Sequence, residues 1–555
     1  MIPAALVAGV FVLYATSYPP TPAGDGYWVI GTIESVNLEM IFNPPSLLTH
    51  VFFFWVKRAA DSLGFSIPTL VVIQTVNGLA AGLGAWFLYE ITRTLGGSRA
   101  LGVLSAGLLA VSFGYWHFAN DELQLISLVV LLLIFWLIVR ARVHGSWGWP
   151  FVVGVGLLNA LAVLLRQESV LFGPAAVALL CIGRPVRPAV RDALMYAVVG
   201  SIGTWSVAII FGLAFVPGVR TLSEAGVWYL WLTGHVRSTQ DFQAFEYATT
   251  FDVPRVVKGQ LTALLVGTQT VFDALRDRAL LGRPKVIGLI ALTMAAYAAM
   301  VILIAGLFPV RRLRATRLVE VAIACAVWIL AYKLVFHAWL WPTVTKYQVV
   351  TVPPLILLLV LGVIAAQKSG DHLQAVWRIG LLAALVVIVF SVDLWGGILP
   401  WRRYGDMKVA LEARWASDFR PDDLFVSCES GIDTIFARLY RRGEARHVNV
   451  KNEFVKSRAS EAYGTIHAAI ARQLEHGGRV FVYNFVPSAY SLIAINQSPQ
   501  RAGQPLSTSD FEAFFDDLSR TYAVRPLFTY WEESKAPLYL FGERLEPFFE
   551  LSRRS

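Results

Sequence analysis

Asp25, in the stretch Ala-Gly-Asp-Gly-Tyr-Trp at 23–28, is the first residue whose setting suits chemistry. Flanking glycines let a ligand come close to the backbone. An acid held against an apolar wall has a raised pKa, which suits a general base taking a proton from a hydroxyl or amine. The same aspartate also reads as the cap of a helix starting in GDGYWVIGTIES. Next comes Asn43-Pro44-Pro45-Ser46, followed by LLTHVFFFWVKRA. Prolines start helices but do not continue them. The apolar stretch after them is too short to span a bilayer and ends in Lys57 and Arg58, so a helix lying in the membrane interface is expected. Asp121 and Glu122, in FANDELQLI, stand at the mouth of an apolar run. They are functional candidates by their position at the membrane edge and helix caps by their type. His117 nearby reads as a ligand for an anion or as a polar tip at the interface. Finally Arg166, in LLRQES, and Lys346-Tyr347, in TKYQVVTVPP, with Lys333 and His337 before them, supply cations. Cations there can neutralise a phosphate or diphosphate leaving group, or anchor helices by reaching to headgroups.

What must position these residues is a membrane. The chain has 555 residues, 56% hydrophobic and 15% charged, with a mean hydropathy of +0.58. Soluble proteins carry about 25% charged residues, so a soluble enzyme is excluded. The formal charge of +9 is not gathered in one patch, which argues against nucleic acid as a partner. A spanning helix needs about 20 apolar residues. Candidates fall at 1–17, 67–90, 98–118, 121–141, 149–165, 168–183, 192–216, 286–308, 318–337, 349–366 and 378–399, about eleven transmembrane helices. Arg93 and Arg99, Arg140 and Arg142, Arg184, Arg187 and Arg191, Arg311 to Arg317, and Lys368 with Arg378 occupy every second loop. By the positive-inside rule these loops are cytoplasmic. The loops 18–66 and 217–285, and everything after 400, are then external, on the side of Asp25, Arg166 and Lys346. Tryptophans at the ends of apolar runs form an aromatic belt. The first segment ends in small residues, as a cleaved signal peptide does, but lacks its basic start.

Residues 1–399 are thus read as a membrane module and 400–555 as an extracytoplasmic domain. In the latter, strand-like runs at 423–428, 447–450, 479–485, 526–531 and 538–542 alternate with helical ones at 432–443 and 457–475, which predicts an α/β domain with a parallel sheet. SCESGIDT (427–434), after the first strand, is placed where α/β domains bind ligands, or is a helix cap. Cys181, Cys325 and Cys428 form no disulfide or zinc pattern. Metalloprotease, P-loop, nucleophile-elbow and DxD patterns are absent, so no metal site is read. The excess of arginine over lysine leans toward a GC-rich bacterial genome.

In order and spacing these features resemble the GT-C superfamily of membrane glycosyltransferases, in particular protein O-mannosyltransferases and lipid A aminoarabinose transferases. Asp25 matches the family's aspartate in the first external loop, and Asn43-Pro44-Pro45 stands where its His-Pro-Pro does. Asn120-Asp121-Glu122 matches its acidic motif, and Lys346-Tyr347 with Pro353-Pro354 its late basic-tyrosine motif. Asn43 replaces the usual histidine, and Gly26 follows Asp25 where many members have a second acid. The resemblance implies an inverting transfer from a sugar on polyprenyl phosphate to an extracytoplasmic glycan, lipid or protein. Asp25 would be the base, while Asp121 or Glu122 orients the acceptor. Arg166, Lys346 and Tyr347, with Asn43 and His117 nearby, would hold the lipid phosphate. It requires no cofactor beyond, at most, a loosely held divalent cation. The expected setting is the multi-pass inner membrane of a bacterium. Two other classes fit the bare pattern: a transporter or lipid flippase, which needs more polar residues at mid-membrane than Asn77, Asn159 and Lys333, and a non-catalytic scaffold with a binding domain.

Overall fold

In the computed structural model every one of the eleven apolar runs contains a helix. The structure describes residues 2–20, 26–34, 36, 41–42, 46–120, 124–145, 147–216, 218–230, 253–276, 278–305, 318–337, 348–368, 372–403, 420, 422–428, 446–483, 485–486, 492, 495–496, 503–528 and 548–554. The chain divides into two units, one of which holds 28–235 and 248–402 with the first eighteen residues, and the other 403–555 with 19–27 and 236–247.

The helices of the first unit are α1 (Ile2–Ala15), α2 (Gly26–Glu34, in this unit from Trp28), α3 (Leu47–Ser62), α4 (Thr69–Thr94), α5 (Arg99–Val111), α6 (Phe113–His117), α7 (Gln124–His144) and α8 (Trp149–Leu165). After a 3-10 turn, Gln167–Phe172, come α9 (Gly173–Cys181), α10 (Val186–Phe215), α11 (Leu222–Leu230), α12 (Val253–Leu264), α13 (Gly267–Arg276), α14 (Pro284–Ala305) and α15 (Leu318–Ala331). A π turn, Tyr332–His337, continues α15; a 3-10 turn, Val349–Thr351, leads into α16 (Val352–Lys368), and α17 (His372–Asp393) ends in a second π turn, Leu394–Ile398. Six of the described helical stretches are long and apolar enough to cross a membrane, and further shorter helices are equally apolar.

Burial separates centre from rim. In the most apolar window of the stretch Val349–Lys368, 89% of the residues are buried, against 22% for Val186–Phe215. Yet α10 is no less greasy: Leu194, Val198 and Ile202, four residues apart, lie on one exposed face. An apolar stripe left outside is what a helix facing acyl chains requires. Small residues set the closest approaches. A Cβ on Gly82 of α4 would stand 2.8 Å from the Val7 carbonyl oxygen of α1, so α1 docks there only because nothing projects from Gly82.

The described ends of the helices that flank the basic loops meet at one end of this bundle. Arg142 at the end of α7 pairs with Glu320 of α15 and donates to the Ile182 carbonyl. Gln367 of α16 donates to the Ser98 hydroxyl before α5, and Arg378 of α17 to the Gly362 carbonyl. Asp192 of α10 is fully buried and accepts hydrogen bonds from Arg184, Arg191 and Trp147 at 2.7–2.9 Å. A buried carboxylate persists only with such partners, so these arginines have a structural use besides setting topology.

The second unit corrects the expectation of a parallel sheet. Its strands are β1 (Leu424–Ser427), β2 (Arg446–Asn449), β3 (Val480–Tyr483), β4 (Tyr522–Phe528) and β5 (Phe548–Arg553), in the order β2-β1-β3-β5-β4. β1 pairs in parallel with β2 and β3, while β5 is antiparallel to both β3 and β4. α18 (Val450–Lys456), α19 (Ala459–Glu475) and α20 (Thr508–Thr521) supply apolar faces. Ile466 and Ile470 of α19 and Phe511 and Leu518 of α20 share one core with Val426 and Val482 of the sheet. The runs expected at 432–443 and 538–542 lie outside the described residues.

His447 of β2 stands 3.0 Å from the Ser427 hydroxyl of β1, and burial holds its pKa below the usual histidine value. The unfolded chain therefore binds a proton that the folded domain refuses. The resulting stability is complete above about pH 6.5, the unfolded value, and is lost as pH falls through the depressed one. Calorimetry of the full chain should show the melting of this domain dropping between about pH 7 and 5, and His447→Gln should reduce that drop.

Candidate functional site

Of the residues marked in the sequence, Asp25, Asn43, Asp121, Glu122, Lys346 and Tyr347 lie outside the described residues. Their described neighbours are held by specific contacts. Arg166 closes α8 in an extended conformation (φ −157°, ψ 114°), which breaks the helix and starts the 3-10 turn. It is 8% exposed, donates from Nε to Glu168 Oε1 at 2.6 Å and from Nη1 to Ser46 Oγ at 2.9 Å. Ser46 directly follows Asn43-Pro44-Pro45 and precedes α3. One turn into α3, Thr49 donates to the Leu165 carbonyl at 2.8 Å. Two hydrogen bonds thus clamp the start of α3 to the end of α8, joining the proline motif to Arg166.

The other motifs are anchored at the same end. Gln74 of α4 donates to Asn120 Oδ1 at 2.6 Å, fixing the residue before Asp121-Glu122. Lys333 in the π turn hydrogen-bonds Gln348, the residue after Lys346-Tyr347, and Thr351 bonds Gln260 of α12. Gln167 donates to the Tyr229 carbonyl at 2.9 Å, tying α11 to the turn that carries Arg166. Tyr332 is buried beside Ser169, Glu168 and Arg166. α4, α7 and α16 begin at this end, while α8 finishes there, so one rim of the bundle gathers Ser46, Asn120, Arg166 and Gln348.

His117 is 6% exposed and stacks on Phe113 at 5.0 Å, with the rings of Phe118 and Trp401 edge-on at 4.7 and 4.8 Å. It is packed among aromatic rings rather than standing as an exposed polar tip. Among the described residues no group of three His, Cys, Asp or Glu side chains is placed to hold a metal ion.

Sequence reading missed three residues here. Gln124 opens α7 immediately behind the acidic motif; it is fully buried, yet neither Nε2 nor Oε1 has a hydrogen-bond partner. Leaving such a group unpaired costs about 1–3 kcal/mol, a cost that a bound water or a polar ligand relieves. Glu168 pairs with Arg166; a carboxylate two residues from an arginine was the available signal. Asp393, at the end of α17, accepts from the Val266 amide at 2.7 Å, which caps the start of α13 and fastens the junction of α12 and α13 to the bundle. An acid inside an apolar run was its signal.

Residues 51–211 match the family model for dolichyl-phosphate-mannose-protein mannosyltransferases. No curated protein sequence matches the chain. Among solved structures, ArnT from Cupriavidus metallidurans bound to undecaprenyl phosphate is 12% identical, with 99% of this chain and 97% of that chain covered and a TM-score of 0.53. The same protein in its apo state gives 11% identity over the same shares and a TM-score of 0.50. The Archaeoglobus fulgidus oligosaccharyltransferase in its apo form is 12% identical over 89% of this chain and 71% of that one, with a TM-score of 0.48. The chain is therefore a polytopic helical membrane protein that shares the fold of ArnT from Cupriavidus metallidurans and, over residues 51–211, matches the mannosyltransferase family model.

Proposed function

We propose that this chain is an inverting glycosyltransferase. It moves a sugar from a polyprenyl-phosphate carrier to an acceptor on the extracytoplasmic side of a bacterial inner membrane, where the 400–555 domain also lies. The observation that carries the reading is the Arg166–Ser46 clamp. It sets a buried cation beside the proline motif, at the rim where the segments bearing Asp121-Glu122 and Lys346-Tyr347 are anchored. The likeness to a protein crystallised with undecaprenyl phosphate supports the donor class.

In this mechanism the carboxylate of Asp25 takes the proton of the acceptor O–H or N–H. The freed lone pair attacks the anomeric carbon from the face opposite the leaving group. The bond from that carbon to the phosphate oxygen breaks, and polyprenyl phosphate departs with the electron pair. Arg166, Lys346 and Tyr347 stabilise the charge growing on that phosphate, where donors aimed at developing charge have their largest effect. Gln124, buried with no hydrogen-bond partner among the described residues, supplies an amide to the donor, and Asn43 and His117 contribute to binding the lipid phosphate. Asp121 or Glu122 orients the acceptor or a loosely held divalent cation.

The test is transfer from radiolabelled polyprenyl-phosphate sugars by purified protein in lipid. Label should move to an acceptor, with free polyprenyl phosphate released in equal amount and the anomeric configuration inverted. If no donor yields transfer and labelled lipid instead crosses the bilayer, the protein is a transporter.

A further inference from the structure

A second site lies at the opposite end of the bundle, where the helix ends that flank the basic loops meet. A cavity of about 240 Å³ opens between the ends of α4, α7, α9 and α16 and the start of α15. Its charged lining is Arg142, Glu320 and Lys368, and its walls include Val139, Leu179 and Leu318. Arg142 and Glu320 neutralise each other, which leaves Lys368 as the net charge. Two details show unspent donor capacity. Arg142 Nη1 is buried without a hydrogen-bond partner, although Nη2 is engaged. Lys368 makes no ion pair among the described residues.

Backbone shape keeps these groups in place. Gly96, at φ +91°, follows α4, and a Cβ there would stand 2.8 Å from Lys368 Cε. Gly183, at φ +70°, follows α9, and a Cβ there would stand 2.6 Å from Glu320 Oε1. Both turns need the left-handed conformation that glycine adopts without strain, and both also need its missing side chain. Two independent glycines thus make room for two of the three charges.

We propose that this cavity binds the phosphodiester of an anionic phospholipid, with an acyl chain against its apolar wall. An anion meets one uncompensated ammonium beside a guanidinium that has a spare N–H, while the valine and leucine side chains offer nothing to a small soluble anion. Basic pockets between helices recognise such headgroups on the cytoplasmic side, the side to which these arginine-bearing loops belong by the positive-inside rule. The site is remote from Arg166 and takes no part in transfer.

Native mass spectrometry of the purified full chain tests this with three probes: phosphatidylglycerol, phosphatidylcholine and free glycerol phosphate. Phosphatidylglycerol should bind most tightly, and Lys368→Gln should weaken it about fivefold, the effect of one basic residue on an anionic lipid. Because Lys368 is exposed, that variant keeps its fold. Leu179→Trp, which fills the cavity, should abolish the preference while leaving all three charges. Equal binding of the two lipids, or no change in Lys368→Gln, overturns the proposal. Glycerol phosphate binding as tightly as the lipid overturns the lipid as its source.

Discussion

Asp25→Asn should lower sugar transfer by about 10²–10⁴-fold, the usual contribution of a positioned base. Asparagine keeps the size and hydrogen-bonding reach of aspartate but cannot take the acceptor's proton. Donor binding, which relies on groups around the phosphate, should stay within about twofold, so the loss falls on kcat. Equilibrium binding of the labelled donor, measured beside the turnover rate, separates the two. Equal transfer by wild type and Asp25→Asn would move the base to Asp121 or Glu122. The same substitution made there should then carry the loss. A capping role alone for Asp25 would appear differently: the helix Gly26–Glu34 would be weakened by about 1 kcal/mol or less, with transfer reduced only in proportion to the folded fraction.

The bundle was legible because hydropathy is a local property. A run such as LVVLLLIFWLIV declares itself without knowledge of its neighbours, and so does the alternation of arginine-bearing loops. Pairings between distant residues were not. Arg142 and Glu320 lie 178 residues apart, and nothing in either neighbourhood names the other. The break at Arg166 is also quiet in sequence, since no proline or glycine stands at it, yet it creates the turn that holds Glu168. In the C-terminal domain, β1 and β3 were readable as apolar runs buried on both faces. β5, where Glu550, Ser552 and Arg553 leave only Phe548, Phe549 and Leu551 apolar, and which is antiparallel in the sheet, was not. Of the site, sequence indicated Arg166 and the proline motif separately. The hydrogen bond through Ser46 joins them, and it depends on how α3 packs against α8.

Arg166→Ala should reduce kcat by about 10²–10³-fold, the range for removing one donor to charge that develops in the transition state. Activity alone does not identify the cause, because Arg166 also neutralises Glu168, which is equally buried. Removing one partner of a buried pair costs about 3–5 kcal/mol, so the single variant should also melt earlier. The double variant Arg166→Ala with Glu168→Ala separates the roles. With no stranded carboxylate, its stability should return most of the way to wild type. If Arg166 only compensates Glu168, transfer returns with stability. If the guanidinium meets the departing phosphate, the double variant is stable and still inactive, which is the expected result. Ser46→Ala adds a graded check, since it removes one hydrogen bond from Nη1 but leaves the cation in place. Its loss should be about tenfold rather than a hundredfold or more, because one hydrogen bond from a charged donor contributes about 1.5 kcal/mol at the low end and the charge itself remains. A Ser46→Ala loss as large as that of Arg166→Ala would mean that the clamp between α3 and α8, rather than the charge of Arg166, carries the activity.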